Sequence, residues 1–226
     1  VDLSVNVLGT TPIVGSSLPV AVGVAFAMSM QERDHVTAVF FGEGATEEGV
    51  FAESINFAAL KKLPVIFVCE NNLYSVYSPL SVRQPAARDR VAIARAHGIA
   101  TATGDGNDVE HVLRTTKAAV AACRAGHGPY YLEFETYRFR EHCGPNYDND
   151  IGYRTEDEFL NWRKRCPVET YERQLADGLG VEMDEIKGIR AKLTAEIDDA
   201  FEFAKNSPWP EPAQAFANVY AGESRT

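Results

Sequence analysis

Two short polar clusters contain the residue types that could do chemistry. Gly42-Glu43-Gly44 follows the apolar run Val36–Phe41 (VTAVFF), and Asn71-Asn72 follows Val65–Cys69 (VIFVC), about 27 residues further on. Glycines at 42 and 44 let the main chain approach a ligand closely, and a helix opening just after them would offer unpaired N–H groups to an anion. Glu43 adds a hard carboxylate oxygen, and Asn72 supplies an amide oxygen. One carboxylate, one amide and phosphate oxygens suit Mg²⁺, which is usually held by few protein ligands together with a diphosphate. Two successive asparagines after a buried strand have no evident packing role. Other phosphate motifs fail at this spacing. No Lys-Ser/Thr follows the glycines, and Gly49 stands two places too late for the third glycine of G-x-G-x-x-G.

The elements that must position these clusters read as a strand–helix–strand crossover over 36–72, which puts both clusters just past the carboxyl ends of their strands. In open α/β sheets that is where ligands bind. Two more apolar runs, Ile99–Thr103 and Tyr130–Tyr137, read as strands. Continuous Val/Ile/Phe runs predict a parallel sheet covered on both faces. Helices are predicted over Ser17–Gln31, Glu48–Lys62 and Asn107–Ala125, the last with Asn107 and Glu110 as a capping box and Gly126 as its stop. Glu47-Glu48 reads as acid at a helix start. Gly104-Asp105-Gly106 lacks a following asparagine pair and reads as a turn before a helix cap. From Thr155 onward, helices are predicted near 156–165, 167–177 and 182–205, with Thr155–Glu158 as a capping pair and an extended tail beyond Ser207. The predicted fold class is therefore α/β, a parallel sheet with helices on both faces, as residues 1–154, with a helical C-terminal extension over 155–226.

Composition narrows the function classes. The 226 residues hold 32 acidic and 22 basic side chains, a net charge of −10. Such a chain repels phosphate backbones and anionic lipid, so neither nucleic acid nor membrane is an expected partner. The longest apolar run, Leu18–Met28, is shorter than the roughly 18–20 residues of a membrane span and contains Pro19 and Gly23, so it reads as a buried helix. Cys69, Cys123, Cys143 and Cys166 show neither a CxxC spacing nor a zinc pattern, which fits reduced thiols and a cytoplasmic location. Cys143 has no placed base and is not read as a nucleophile. No signal peptide is visible. The chain opens at Val1, and an upstream segment is expected.

The stretch from GEG through SINFAALKKLPVIFVCENNLYS resembles the thiamine diphosphate motif. With PIVGSSLPVAVGVAFA upstream, and GDGNDVEHV, TYRFREH and YRTEDEF downstream, nearly the whole chain resembles the alpha subunit of the decarboxylating component of 2-oxo acid dehydrogenase complexes, of the pyruvate, branched-chain or acetoin type. The resemblance implies a thiamine diphosphate-binding fold with thiamine diphosphate and Mg²⁺ as cofactors. It assigns Glu43, Asn72 and the backbone carbonyl of Tyr74 to the metal. It assigns Gly42, Gly44 and Ala45 to the diphosphate, and Pro12, Ile13 and Val14 to the aminopyrimidine ring. It places His142, the implied catalytic residue, beside the diphosphate and the reacting centre.

The same resemblance implies a beta subunit completing the active site in an assembly of two alpha and two beta chains, a 2-oxo acid substrate, and a lipoyl or carrier domain as acyl acceptor. Departures from the family pattern are Glu43 where Asp is usual (Glu also occurs in branched-chain members), Pro12 where Gly is usual, and Cys143 where some animal members carry a phosphorylated serine. Two other functions are compatible with the residues. One is transketolase-like transfer of a two-carbon unit from a ketose, or carboligation; the other is a non-catalytic scaffold that has lost its cofactor.

Overall fold

In the computed structural model, residues 1–216 are described. The last part of the 155–226 range therefore lies outside the described residues. The chain forms α1 (Ser17–Met30), β1 (Thr37–Gly42), α2 (Gly49–Lys61), β2 (Val65–Asn71), β3 (Tyr74–Ser75), β4 (Ser78–Pro79), α3 (Leu80–Arg83), α4 (Arg90–Ala96), β5 (Ala100–Asp105), α5 (Val109–Ala122), β6 (Tyr130–Glu135), α6 (Glu156–Arg163), α7 (Pro167–Leu179) and α8 (Met183–Asn206). Its contacts divide it into two compact units, Val1–Tyr171 and Glu172–Thr226.

In the first unit, β1, β2, β6 and β5 lie side by side in that order, all parallel. Alternate residues of β2 explain why the sheet is covered on both faces. Val65, Phe67 and Cys69 pack with Leu18, Ala25, Phe51, Ile55 and Ala94 from α1, α2 and α4. Ile66 and Val68 face the other way, onto Ala119 of α5 and Cys123 at its end. The expectation of double cover holds for the central β2 and β6 and fails for β1, where Phe40 is 63% exposed while Val39 and Phe41 are buried. An edge strand can be covered on one face alone. Helix α1 is likewise buried on one side only, at Leu18, Ala21, Val22 and Ala25.

Several local expectations change. The turn after β1 is a 3₁₀ turn over Glu43–Glu47, and α2 opens beyond it at Gly49. Asp108, not Asn107, caps α5, accepting from the His111 N–H. Asn107 instead donates to the Arg165 carbonyl and accepts from the Thr136 hydroxyl, at 2.9 Å each, and so ties α5's approach to β6. Thr155 caps α6 as expected. Helices α3 and α4 and the β3–β4 pair were not expected at all. They are short, and their 80–96 stretch mixes Pro and Arg without clear periodicity.

In the second unit, α7's final turns and the 24-residue α8 are joined through Gly180, which has φ +68. Arg190 donates to Glu172 at 2.8 Å. Pro212–Phe216 forms a 3₁₀ turn where an extended tail was expected. Among the described residues, no helix is long and apolar enough to cross a membrane.

Candidate active site

Parallel pairing sets Gly42 of β1 opposite Glu70 of β2, so Glu43 and the two asparagines leave the sheet at the same edge. Glu43 is completely buried. Its Oε1 accepts from the Arg83 guanidinium, whereas its Oε2 has no hydrogen-bond partner. A buried, unpartnered polar atom costs about 1–3 kcal/mol and calls for an explanation. A carboxylate oxygen held ready for a cation is such an explanation, and the donor set here (carboxylate, amide, main-chain carbonyl) is that of a hard divalent ion. Gly44 explains its own identity: a Cβ there would lie 3.0 Å from Ser75 Oγ and 3.2 Å from Ser75 Cβ. The turn after β1 is thus pressed against β3, directly beside Tyr74.

The asparagines divide their labour. Asn71 is buried; its Nδ2 donates to Glu133 Oε1 at 3.1 Å and its Oδ1 accepts from the Leu73 N–H at 3.3 Å. It therefore has the packing role that the sequence did not reveal. Asn72 Oδ1 accepts from the Tyr74 N–H at 3.0 Å. Around it, Leu73 and Val76 hold left-handed φ values of 74° and 54°. Such values are costly for side chains of this kind and gather at ligand-holding loops. The Tyr74 hydroxyl donates to both oxygens of Glu158, at 2.8 and 3.0 Å. Burial first, and then that carboxylate, raise its pKa. The side chain of Tyr74 is thereby an anchor for the loop.

The Pro12–Gly15 turn reaches the same edge. Gly15 has φ +79, and a Cβ there would come 3.1 Å from Val50 Cγ1 and 3.3 Å from Glu48 Cβ, so the turn abuts the start of α2. Ile13 and Val14 are exposed on it. His142 lies exposed in the loop between β6 and α6. Among the described residues, no hydrogen bond or ring contact joins His142 to Glu43, Asn72 or Tyr74. What holds its loop is arginine. Arg138 donates to the Val76 carbonyl at 2.8 Å, which fastens the loop to the strained Asn72–Val76 turn. The fully buried Arg154 pairs with Asp148 and donates to the Arg138 carbonyl at 2.6 Å. Tyr137 stacks on Trp162 with ring centroids 5.4 Å apart, and burial pushes its hydroxyl up to about 12.

Breaking one side of the buried Arg154–Asp148 pair costs about 3–5 kcal/mol in comparable cases. Arg154→Met is therefore expected to open the 138–153 loop, seen as loss of amide protection in that stretch while β1 and β2 stay protected. Equal protection in the variant would show that the arginine does not hold the loop.

Sequence reasoning missed the 83–90 segment. Arg83 pairs with Glu43 and Glu47, Gln84 Nε2 donates to Glu47 at 2.7 Å, and Arg88 donates to the Thr46 carbonyl. Arg90 donates to Gln84 at 3.0 Å and pairs with the buried Glu133, which also accepts from the Tyr131 hydroxyl at 2.8 Å. The available signal was five polar side chains in RQPAARDR and an acid inside the otherwise apolar YYLEF. Cys69 joins this core, where burial and then the Glu133 charge push its thiol up, away from nucleophilic use.

A parallel sheet that gathers a buried acid, a strained asparagine loop and a glycine turn at the carboxyl ends of its strands is an open α/β arrangement, the class in which ligands generally bind at the strand ends. The chain belongs to the dehydrogenase E1 component family, whose pattern matches residues 2–213. It is 34% identical over 220 residues to the testis-specific, mitochondrial pyruvate dehydrogenase E1 component subunit alpha of Homo sapiens, covering 97% of this chain and 55% of that protein. Against the pyruvate dehydrogenase E1 component subunit alpha of Dictyostelium discoideum the identity is 36% over 219 residues, covering 96% and 57%. Against the 2-oxoisovalerate dehydrogenase subunit alpha of Bacillus subtilis it is 36% over 216 residues, covering 95% and 64%. The chain thus spans a little over half the length of these relatives.

Proposed function

We propose that this chain is the alpha subunit of a 2-oxo acid dehydrogenase and holds the metal and diphosphate end of a thiamine diphosphate site. The observation that carries the proposal is the buried Glu43 at the end of β1, with one oxygen unpartnered, in a turn whose Gly44 packs against Ser75. Family membership supports the same reading and places 2-oxo acid decarboxylation ahead of ketol transfer. An unpartnered buried carboxylate oxygen also weighs against a scaffold that has lost its ligand.

In this reading Glu43, Asn72 and the Tyr74 carbonyl hold Mg²⁺. Gly42, Gly44 and Ala45 present main chain to the diphosphate, and the close seating of Gly44 against Ser75 fixes the turn that carries them. Pro12, Ile13 and Val14 line the aminopyrimidine end. When bound, the thiazolium ring supplies the electron sink that lets a 2-oxo acid lose carbon dioxide. The chain's own work is to position and neutralise: Glu43 balances cation charge in a dry site, and the arginine-clamped loop carries His142 to the diphosphate side.

A beta subunit completes the site in an assembly of two alpha and two beta chains. A lipoyl group on a carrier domain takes the acyl unit, and the assembly is cytoplasmic. The test is calorimetric titration of thiamine diphosphate into the full-length chain co-expressed with its beta partner, with and without Mg²⁺, followed by a screen of 2-oxo acids against ketose phosphates. Saturable, Mg²⁺-dependent binding with turnover of a 2-oxo acid is expected. Turnover of ketose phosphates alone would replace the reading by two-carbon transfer, and absence of binding would favour the scaffold.

A further inference from the structure

Glu43, Arg83 and Glu47 form one charge cluster at the mouth of the proposed cation site. The Arg83 guanidinium reaches Glu43 Oε1 with one nitrogen and Glu47 Oε1 with another. Side-chain exposures are 1% for Glu43, 12% for Arg83 and 27% for Glu47. Each outer member is held from behind: Arg83 Nε donates to the Ser78 carbonyl at 3.0 Å, and Gln84 Nε2 donates to Glu47 at 2.7 Å. The guanidinium also lies over the glycine turn, since a Cβ at Gly44 would be 3.4 Å from Arg83 Nη1.

The geometry points to Arg83 and Glu47 as a positioning pair for Glu43. The inference rests on Glu43 being the cation's ligand. A glutamate has one more rotatable bond than an aspartate, and ordering it costs side-chain entropy. Arg83 meets that cost in advance by occupying Oε1, which leaves Oε2 as the only oxygen offered to a cation. Arg83 alone would cancel the charge of Glu43 and repel a divalent ion. Glu47 takes up the arginine's charge, so the three groups together remain at −1 and still attract the cation. Ligating carboxylates are commonly steered by such outer partners, whose loss costs about 10–100-fold in metal affinity.

The test uses the full-length chain with its beta partner and thiamine diphosphate, titrated with Mn²⁺ and read from the paramagnetic resonance of the free ion. Arg83→Gln is expected to weaken Mn²⁺ binding by about 10–100-fold. Arg83→Lys should restore part of it, because a cation returns without the planar fork. Glu47→Gln, which leaves the Arg83–Glu43 pair intact, should weaken binding by about threefold to tenfold through charge alone. The double variant should lose less than the product of the two, since both act through one carboxylate.

Unchanged or tighter Mn²⁺ binding in Arg83→Gln, while Glu43→Gln binds none, would overturn the positioning role and leave the cation site standing. If Arg83→Gln does not fold, the same result in Glu47→Gln decides the matter. Wild-type affinity in Glu43→Gln would overturn the cation site and the positioning pair together.

Discussion

Replacing Glu43 by alanine is expected to abolish Mg²⁺-dependent binding of thiamine diphosphate, a loss of more than about 100-fold in affinity. Loss of an outer partner alone costs up to about that much, and here the ligand itself is removed. The effect should fall on binding and not on folding. Glu43 is completely buried, but its removal also removes an unpartnered oxygen, and Arg83 keeps Glu47 and the Ser78 carbonyl as acceptors. The alanine variant should therefore keep its far-ultraviolet circular dichroism and its assembly with the partner while the calorimetric signal with Mg²⁺ disappears. If instead it titrates like the wild type, the cation does not bind at the end of β1, and the unpartnered oxygen needs another explanation.

Glu133→Ala is expected to have the largest effect on stability, about 3–5 kcal/mol in denaturant unfolding. Glu133 is 7% exposed in the middle of β6. It accepts from Arg90, from the Tyr131 hydroxyl and from Asn71 Nδ2, so one substitution strands a buried guanidinium, a phenol and an amide. Glu133→Gln keeps the shape and some hydrogen bonds and should cost less. Removing Arg90 as well should recover part of the loss, because the stranded charge goes with it.

The effect should reach the site, since Asn71 is the residue next to Asn72 and its Oδ1 orders the Leu73 N–H. A loss below about 1 kcal/mol in Glu133→Ala, well short of that for a broken buried pair, would show that the network is replaceable by solvent.

Much of the fold was legible because its signals are local. The apolar runs VTAVFF, VIFVC and YYLEFETY became β1, β2 and β6 within a residue or two, since short runs rich in Val, Ile and aromatic side chains favour strands. The Thr155 cap was legible because a cap is made within three residues. The cap of α5 was not legible in the same way, because its choice was not local. Asp108 won the cap of α5 because Asn107 was already engaged by Arg165 and Thr136, from 58 and 29 positions away. Phe40 reads as core in the sequence and is exposed, because nothing in VTAVFF says that β1 is an edge strand.

By itself, then, the sequence determined the α/β class and the arrival of Glu43 and Asn72 at neighbouring strand ends, since strand–helix–strand alternation and right-handed crossover leave little other choice. It also determined, through resemblance, the family to which those residues belong. Only the tertiary structure decided how the charges pair. Arg83 meets Glu43 from 40 positions away, Asn71 meets Glu133 from 62, and Arg90 meets Glu133 from 43. Long-range pairing of buried charge follows from desolvation, which penalises every unpaired group, and the partner that satisfies it is chosen by the packing of the sheet and not by spacing along the chain.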